Sequence, residues 1–318
     1  MRIGLLSFCL LFSFGLLKAQ AGYQPPFPYE IGLQIGTSQF LGDLGGQSEI
    51  GRPFIRDTDL KAIRPLIGAF GRWNIGPYFS ARADLNYLQL AGDDALAGDG
   101  FSGETRSEDQ AWYRYYRNLS FRSHVFEASI AGELIPYNFE LGGGYQSYSV
   151  ISPYGFIGVG IFHFNPQAQY DGQWVDLQPL STEGQGLVDG RTPYSLTQFN
   201  VPLGFGVKWN YNDQWALSFE VNHRLTFTDY IDDVSVDYVD PQVFYDNFAP
   251  EQAALSAAMA RRSVEIDPGL VNGYVSAPGE QRGDPKDNDS YYTIALRFSY
   301  FFDANSLGGG RRYGCPVW

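Results

Sequence analysis

Apolar and polar residues alternate one by one over long stretches of this chain. Between residues 215 and 228, Trp215, Leu217, Phe219, Val221, His223, Leu225 and Phe227 fall on one parity. Ala216, Ser218, Glu220, Asn222, Arg224, Thr226 and Thr228 fall on the other. A period of two places successive side chains on opposite faces of a strand. Wound as a helix, the same residues would ring the cylinder with apolar groups. The pattern recurs over Phe199–Trp209, Tyr292–Phe302, Phe126–Leu134 and Ile31–Ile35, and more weakly over Ala62–Asn74 and Tyr78–Leu90. An eighth stretch, Tyr154–Phe164, is apolar or glycine on both parities, so its facing stays open. The segments run to about 11 to 15 residues. A globular strand is usually roughly 5 to 6 residues long, whereas a strand tilted across a bilayer needs about 9 to 11. The pattern therefore predicts an all-β, eight-stranded antiparallel transmembrane β-barrel rather than a soluble sandwich.

The connections support that reading. Asn74-Ile75-Gly76-Pro77 and Tyr211-Asn212-Asp213 are short, and Pro136–Ser149 is of moderate length. The other four, about residues 41–60, 92–120, 165–195 and 229–289, are long. Short turns at one end and long loops at the other characterise bacterial outer-membrane barrels. An even strand number then places both termini on the periplasmic side and the long loops outside the cell.

The N-terminus reads as an address. Arg2 is followed by the apolar run Ile3–Leu17 and the small-x-small site Ala19-Gln20-Ala21, the three parts of a secretory signal peptide. Residues 1–21 are expected to be removed, with the mature chain starting near Gly22. Cleavage would take Cys9 and leave Cys315 as the only thiol, which rules out an intramolecular disulfide. The net charge of −13 argues against nucleic acid, whose phosphates need a basic face. Residues 229–289 hold 13 acidic and 4 basic residues. They are read as a solvated acidic loop that repels an anionic cell surface. Ca²⁺ ligation by Asp232-Asp233 or by the 284–289 acids is the less favoured alternative, because no EF-hand loop accompanies them. Pro250–Arg262 reads as a short helix, with acid at its start and arginines at its end.

If the apolar parity faces lipid, the polar parity faces the lumen. It collects Glu30, Arg64, Arg72, Arg82, Asp84, Glu127, Glu133, Lys208, Glu220, Arg224 and Arg297, six basic and five acidic. Eight strands leave room only for side chains, so these charges are expected to pair into a plug rather than line a pore. Glycines at 158, 160, 204 and 206 are expected to make room for large inward neighbours. Three histidines, His124, His163 and His223, are present. By parity His124 and His223 face lipid near strand ends, away from Ser218 and Thr226. No phosphate loop, metal cluster or nucleophile elbow appears in the sequence. No catalytic residue, metal or cofactor is expected.

Several pieces in order carry a family resemblance. These are Glu30-Ile31-Gly32-Leu33-Gln34-Ile35-Gly36 with Phe40-Leu41-Gly42-Asp43-Leu44, then Pro153–Gly160 with Phe164-Asn165-Pro166, then Thr228–Ser235, and finally Cys315-Pro316. Together they resemble the PorG-like outer-membrane barrels of the type IX secretion system of the Bacteroidota. The resemblance implies an accessory role in protein export. The barrel would anchor a periplasmic ring complex to outer-membrane lipid near the translocon, without being the conduit. On this reading residues 22–303 form the barrel and 304–318 a periplasmic tail. Gly308-Gly309-Gly310 gives the tail reach. Arg311, Arg312, Cys315 and Trp318 would bind the partner, with Cys315 expected to form an intermolecular disulfide. The alternatives are a surface adhesin or integrity-type barrel acting through its long loops, and a lipid-modifying barrel enzyme.

Overall fold

The computed structural model describes residues 27–44, 63–95, 110–141, 149–266 and 275–303. The expected signal peptide, 1–21, and the tail with Arg311, Arg312, Cys315 and Trp318 lie outside these residues. In chain order the strands are β1 (Tyr29–Leu41), β2 (Arg64–Asn74), β3 (Phe79–Asp93), β4 (Ser120–Leu134), β5 (Phe139–Leu141), β6 (Ser149–His163), β7 (Pro166–Tyr170), β8 (Gln173–Asp176), β9 (Thr197–Asn210), β10 (Trp215–Thr226) and β11 (Ser290–Phe302). The helices are α1 (Gln110–Arg117), α2 (Gln242–Asn247) and α3 (Pro250–Ala260). The last fits the helix expected over 250–262.

Eight long strands close into an antiparallel ring in the order β6-β9-β10-β11-β1-β2-β3-β4, and β4 pairs back onto β6. Strand β1 meets β11 along its whole length, from Tyr29↔Phe302 to Leu41↔Ser290. The seam between β4 and β6 is shorter, from Phe126↔His163 to Leu134↔Gly155. Beyond the seam both strands change partner. Arg122 and Ser123 of β4 pair with β7, while the start of β6 pairs with β5. Closure gives each of the eight long strands a partner on both sides, which is what a membrane requires of a sheet. Between β6 and β9 the pairing lapses from Ile157↔Leu203 to Gly160↔Asn200, where Pro202 has no N–H to give.

The parity of the sequence becomes the two faces of the wall. Ile31, Leu33, Ile35, Leu85, Ile130, Ile157, Val159, Phe205, Phe219, Leu296 and Phe298 all point outward and are exposed. Trp73, Phe79, Trp209, Tyr211 and Trp215 gather at the short-turn end, as in the aromatic girdles of membrane barrels. No helix among the described residues is long and apolar enough to cross a membrane. The ambiguous segment β6 resolves with Tyr154, Phe156 and Phe162 buried inside and Ile157, Val159 and Ile161 outside. Its inward aromatics are accommodated by glycines on β9. A Cβ on Gly206 would lie 2.5 Å from the Tyr154 ring, and one on Gly204 would lie 2.8 Å from that of Phe156.

The described parts of the connections 165–195 and 229–289 do not hang free in solvent. β7 and β8 form a hairpin that continues the wall. Ile231, Val234, Phe244, Ala253, Met259 and Ala260 are buried above the barrel mouth. The expectation of a solvated 229–289 loop is therefore corrected. Asp240, Asp246, Glu251, Glu280 and Asp287 do face solvent. Asp229, Asp232, Asp233 and Asp289 are buried, because segments from distant parts of the chain fold over them. We refer to this packed layer as the cap.

Candidate functional site

The lumen of the barrel is filled, in three layers. At the short-turn end lies a network of four acids and four bases, all buried. Glu30 accepts Arg72 Nη1 at 2.5 Å and Ser299 Oγ at 2.6 Å, and faces Lys208 Nζ at 3.4 Å. Glu133 bridges Arg72 and Arg82, at 2.8 Å from Arg72 Nε and 2.6 Å from Arg82 Nη1. Arg82 turns Nε to Asp84 at 2.7 Å and Nη1 to Glu220 at 2.7 Å. Arg297 closes the circuit to Glu220 at 2.9 Å and Asp84 at 2.6 Å, and the Tyr154 hydroxyl donates to Glu220 at 2.8 Å. The guanidinium faces stack on rings: Arg297 lies 3.9 Å from the Phe70 centroid and Arg82 4.5 Å from that of Phe156. Paired in this way, each charge out of water has an opposite charge within 3.4 Å, which offsets part of the desolvation cost.

The middle layer is one pair, Glu127 and Arg224, with amide and phenol partners. Arg224 Nε lies 3.1 Å from Glu127. Asn86 and Asn200 each donate to the carboxylate at 2.9 Å, and the Tyr291 hydroxyl donates at 2.8 Å. Thr293 accepts from Arg224, and Gln34 donates to Asn86. The third layer, toward the cap, is apolar: Leu66, Leu88, Leu90, Phe121, Val125, Phe162 and Phe164 pack with Ile231 and Val234.

Ten of the eleven lumen residues expected from the sequence are brought together in these layers. Arg64 is the exception. It has the inward parity but lies at the rim, half-buried, and donates to the Ile63 carbonyl at 3.0 Å. Its depth along the strand, which parity does not encode, sets it apart. Five acids then face five bases, so the lumen is balanced. The neutral partners Tyr154, Tyr291, Asn86, Asn200 and Ser299 were not singled out in the sequence. Their signal was an inward parity shared with the charges. No three His, Cys, Asp or Glu side chains among the described residues converge to hold a metal ion. His124 Nδ1 lies 2.6 Å from the Tyr87 hydroxyl on the outer face, and His163 contacts Thr197 at 3.0 Å. These are contacts of the outer wall.

Among the described residues the lumen is filled first by paired charge and then by packed apolar side chains. In planar bilayers the purified barrel is expected to carry no steady ion current; a steady ohmic conductance would contradict this packing.

The comparisons agree with the geometry. The family model for the outer membrane protein beta-barrel domain matches residues 6–245. The chain belongs to that family. Among solved structures it is similar to OprG of Pseudomonas aeruginosa, at 10% identity and a TM-score of 0.36 over 87% of this chain and 97% of that one. It is also similar to Ail, the attachment invasion locus protein of Yersinia pestis, solved with the heparin analogue sucrose octasulfate, at 8% identity and a TM-score of 0.33 over 86% and 99%. A third is Neisserial surface protein A, at 8% identity and a TM-score of 0.33 over 86% and 97%. No curated protein sequence matches significantly. The protein is thus a small outer-membrane β-barrel.

Proposed function

We propose that this outer-membrane barrel is a non-enzymatic anchor that holds a periplasmic ring complex of a type IX secretion machinery at the membrane, beside its translocon. The filled lumen supports the reading: a barrel with its interior occupied by side chains is suited to act through its ends and its outer wall. The resemblance of the 30–44, 153–166 and 228–235 segments to PorG-like barrels supplies the machinery. In this reading both termini are periplasmic. The tail beyond Asp303 reaches the ring through Arg311, Arg312, Cys315 and Trp318, with Cys315 in a disulfide to the partner.

The test is a pull-down from detergent-solubilised outer membranes with and without reductant, comparing the wild type with Cys315→Ser. A periplasmic partner captured by the wild type, and crosslinked to it only without reductant, is the expected result. Loss of all capture on deleting residues 304–318, with the barrel still inserted, is expected as well. A freely alkylated Cys315 with no partner in either sample would remove the anchor reading. The packed cap favours a second reading, a surface-facing binding module. It predicts that trimming residues 236–280 abolishes function while removing the tail does not.

A further inference from the structure

Where the cap meets the barrel rim, three chain segments meet through carboxylates. Asp232 accepts the backbone N–H of Leu44 at 3.0 Å through one oxygen and that of Val234 at 3.0 Å through the other. Asp289 accepts the N–H of Ile231 at 2.8 Å. Its other oxygen has no hydrogen-bond partner and lies against Gly42, whose missing Cβ leaves the space. Asp43 accepts the N–H of Asp284 at 2.8 Å, and Asp229 is buried beside them. Residues 42–44, 229–235 and 284–289 are thus tied together by Asp43, Asp232 and Asp289, with Asp229 set among them.

The cations nearby are engaged elsewhere. Arg117 of α1 is bidentate on Asp94, at 2.7 and 2.8 Å, and donates to the Asp43 and Arg282 carbonyls. Arg282 is held by Glu183 at 2.9 Å and by the Asp233 carbonyl at 2.5 Å. The remaining titratable groups facing the cluster are Glu183, Asp284, Asp233 and Tyr230, which add negative charge or none. Three buried carboxylates, Asp229, Asp232 and Asp289, with the half-buried Asp43 beside them, cannot all stay ionised at modest cost. No three acidic, histidine or cysteine side chains among the described residues come together tightly enough to ligate a metal. The orphan oxygen of Asp289 is a place for a proton.

We propose that Asp43, Asp229, Asp232 and Asp289 form a proton-held latch that keeps the cap closed on the barrel mouth and releases it when the cluster ionises. Burial and the neighbouring carboxylates push Asp232 and Asp289 well above the carboxylate range, and burial first raises Asp229, to about 8. A carboxyl raised in the closed form favours that form when protonated. The closed cap is therefore most stable at acid pH. It loses stability progressively from the ordinary carboxylate range up to about pH 8, where Asp229 ionises in place. The proposal is independent of the anchor reading, since it concerns the opposite end of the barrel.

The experiment is a spin-label distance measurement on the full chain in lipid vesicles, with Cys315→Ser. One label sits on the cap at Glu251→Cys and one on the wall at Leu225→Cys, both exposed positions. The expected result is a single narrow distance at pH 5 that broadens or lengthens by pH 9. Asp232→Asn with Asp289→Asn, which keeps shape without charge, is expected to hold the narrow distance at both. An unchanged wild-type distribution between pH 5 and pH 9 would overturn the latch, whether or not the double variant folds. So would a distribution that Ca²⁺ narrows at pH 9 and EDTA broadens at pH 5, because a metal would then be the closing ion.

Discussion

Glu220→Ala is expected to cost the barrel about 3–5 kcal/mol of folding stability, the penalty for breaking a buried ion pair by removing one partner. Glu220 is the hinge of the lower lumen network. It receives Arg82, Arg297 and the Tyr154 hydroxyl, and all three side chains are buried. Removing it leaves Arg82 and Arg297 sharing Asp84, with Glu133 already bridged to Arg72, in a buried space. Glu220→Gln keeps the hydrogen-bonding shape but not the charge, so an intermediate loss is expected. Adding Arg82→Gln to Glu220→Gln restores neutrality, and the double variant should lose less than the sum of the single losses. Urea unfolding from lipid vesicles, followed by tryptophan fluorescence and by the heat-dependent gel shift of intact barrels, gives the comparison. A loss below about 1 kcal/mol for Glu220→Ala, the scale of a solvent-screened surface pair, would mean that the lumen is hydrated rather than packed.

The barrel wall was legible in the sequence because one physical rule, the two-residue period, is local. It set the eight segments, the faces of seven of them and ten of the eleven inward charges. Three things escaped that rule for identifiable reasons. Parity says which face a residue takes but not how deep it sits, so Arg64 was grouped with the lumen charges though it lies at the rim. The upper lumen is apolar, so Leu66, Leu88, Leu90 and Phe162 break the polar parity of their strands. Tyr154–Phe164 was ambiguous because aromatics stand inside and aliphatics outside, Tyr154 and Phe156 against the charge network and Phe162 in the apolar layer. The cap escaped because the groups that bury Asp232 and Asp289 arrive from residues 42–44 and 231, far away in sequence or across a loop. An acidic run in isolation reads as solvated whether or not the fold later covers it.

The outer wall supplies the second large effect. Leu296→Arg is expected to destabilise the barrel by about 2–4 kcal/mol, the cost of a cation on the lipid face near the bilayer midplane. Leu296 points outward, half-exposed, between the cross-strand neighbours Ile35 and Phe219. On its own strand it stands midway between Tyr292 toward the cap and Tyr300 toward the short turns, so the hydrocarbon centre is at its level. Tyr300→Arg should cost only about 0–1 kcal/mol from lipid exposure, because arginine near an interface reaches the headgroups. Tyr300 also packs on Trp215, with centroids 4.8 Å apart, so each arginine variant is compared with alanine at the same position to remove the packing loss. Reversible unfolding from vesicles of one lipid reads both differences. A steep dependence on depth is the signature of a wall facing hydrocarbon. Equal costs at 296 and 300 would instead mean that this face is covered by protein or water, and the assignment of the apolar parity to lipid would fail on the strand where it is clearest.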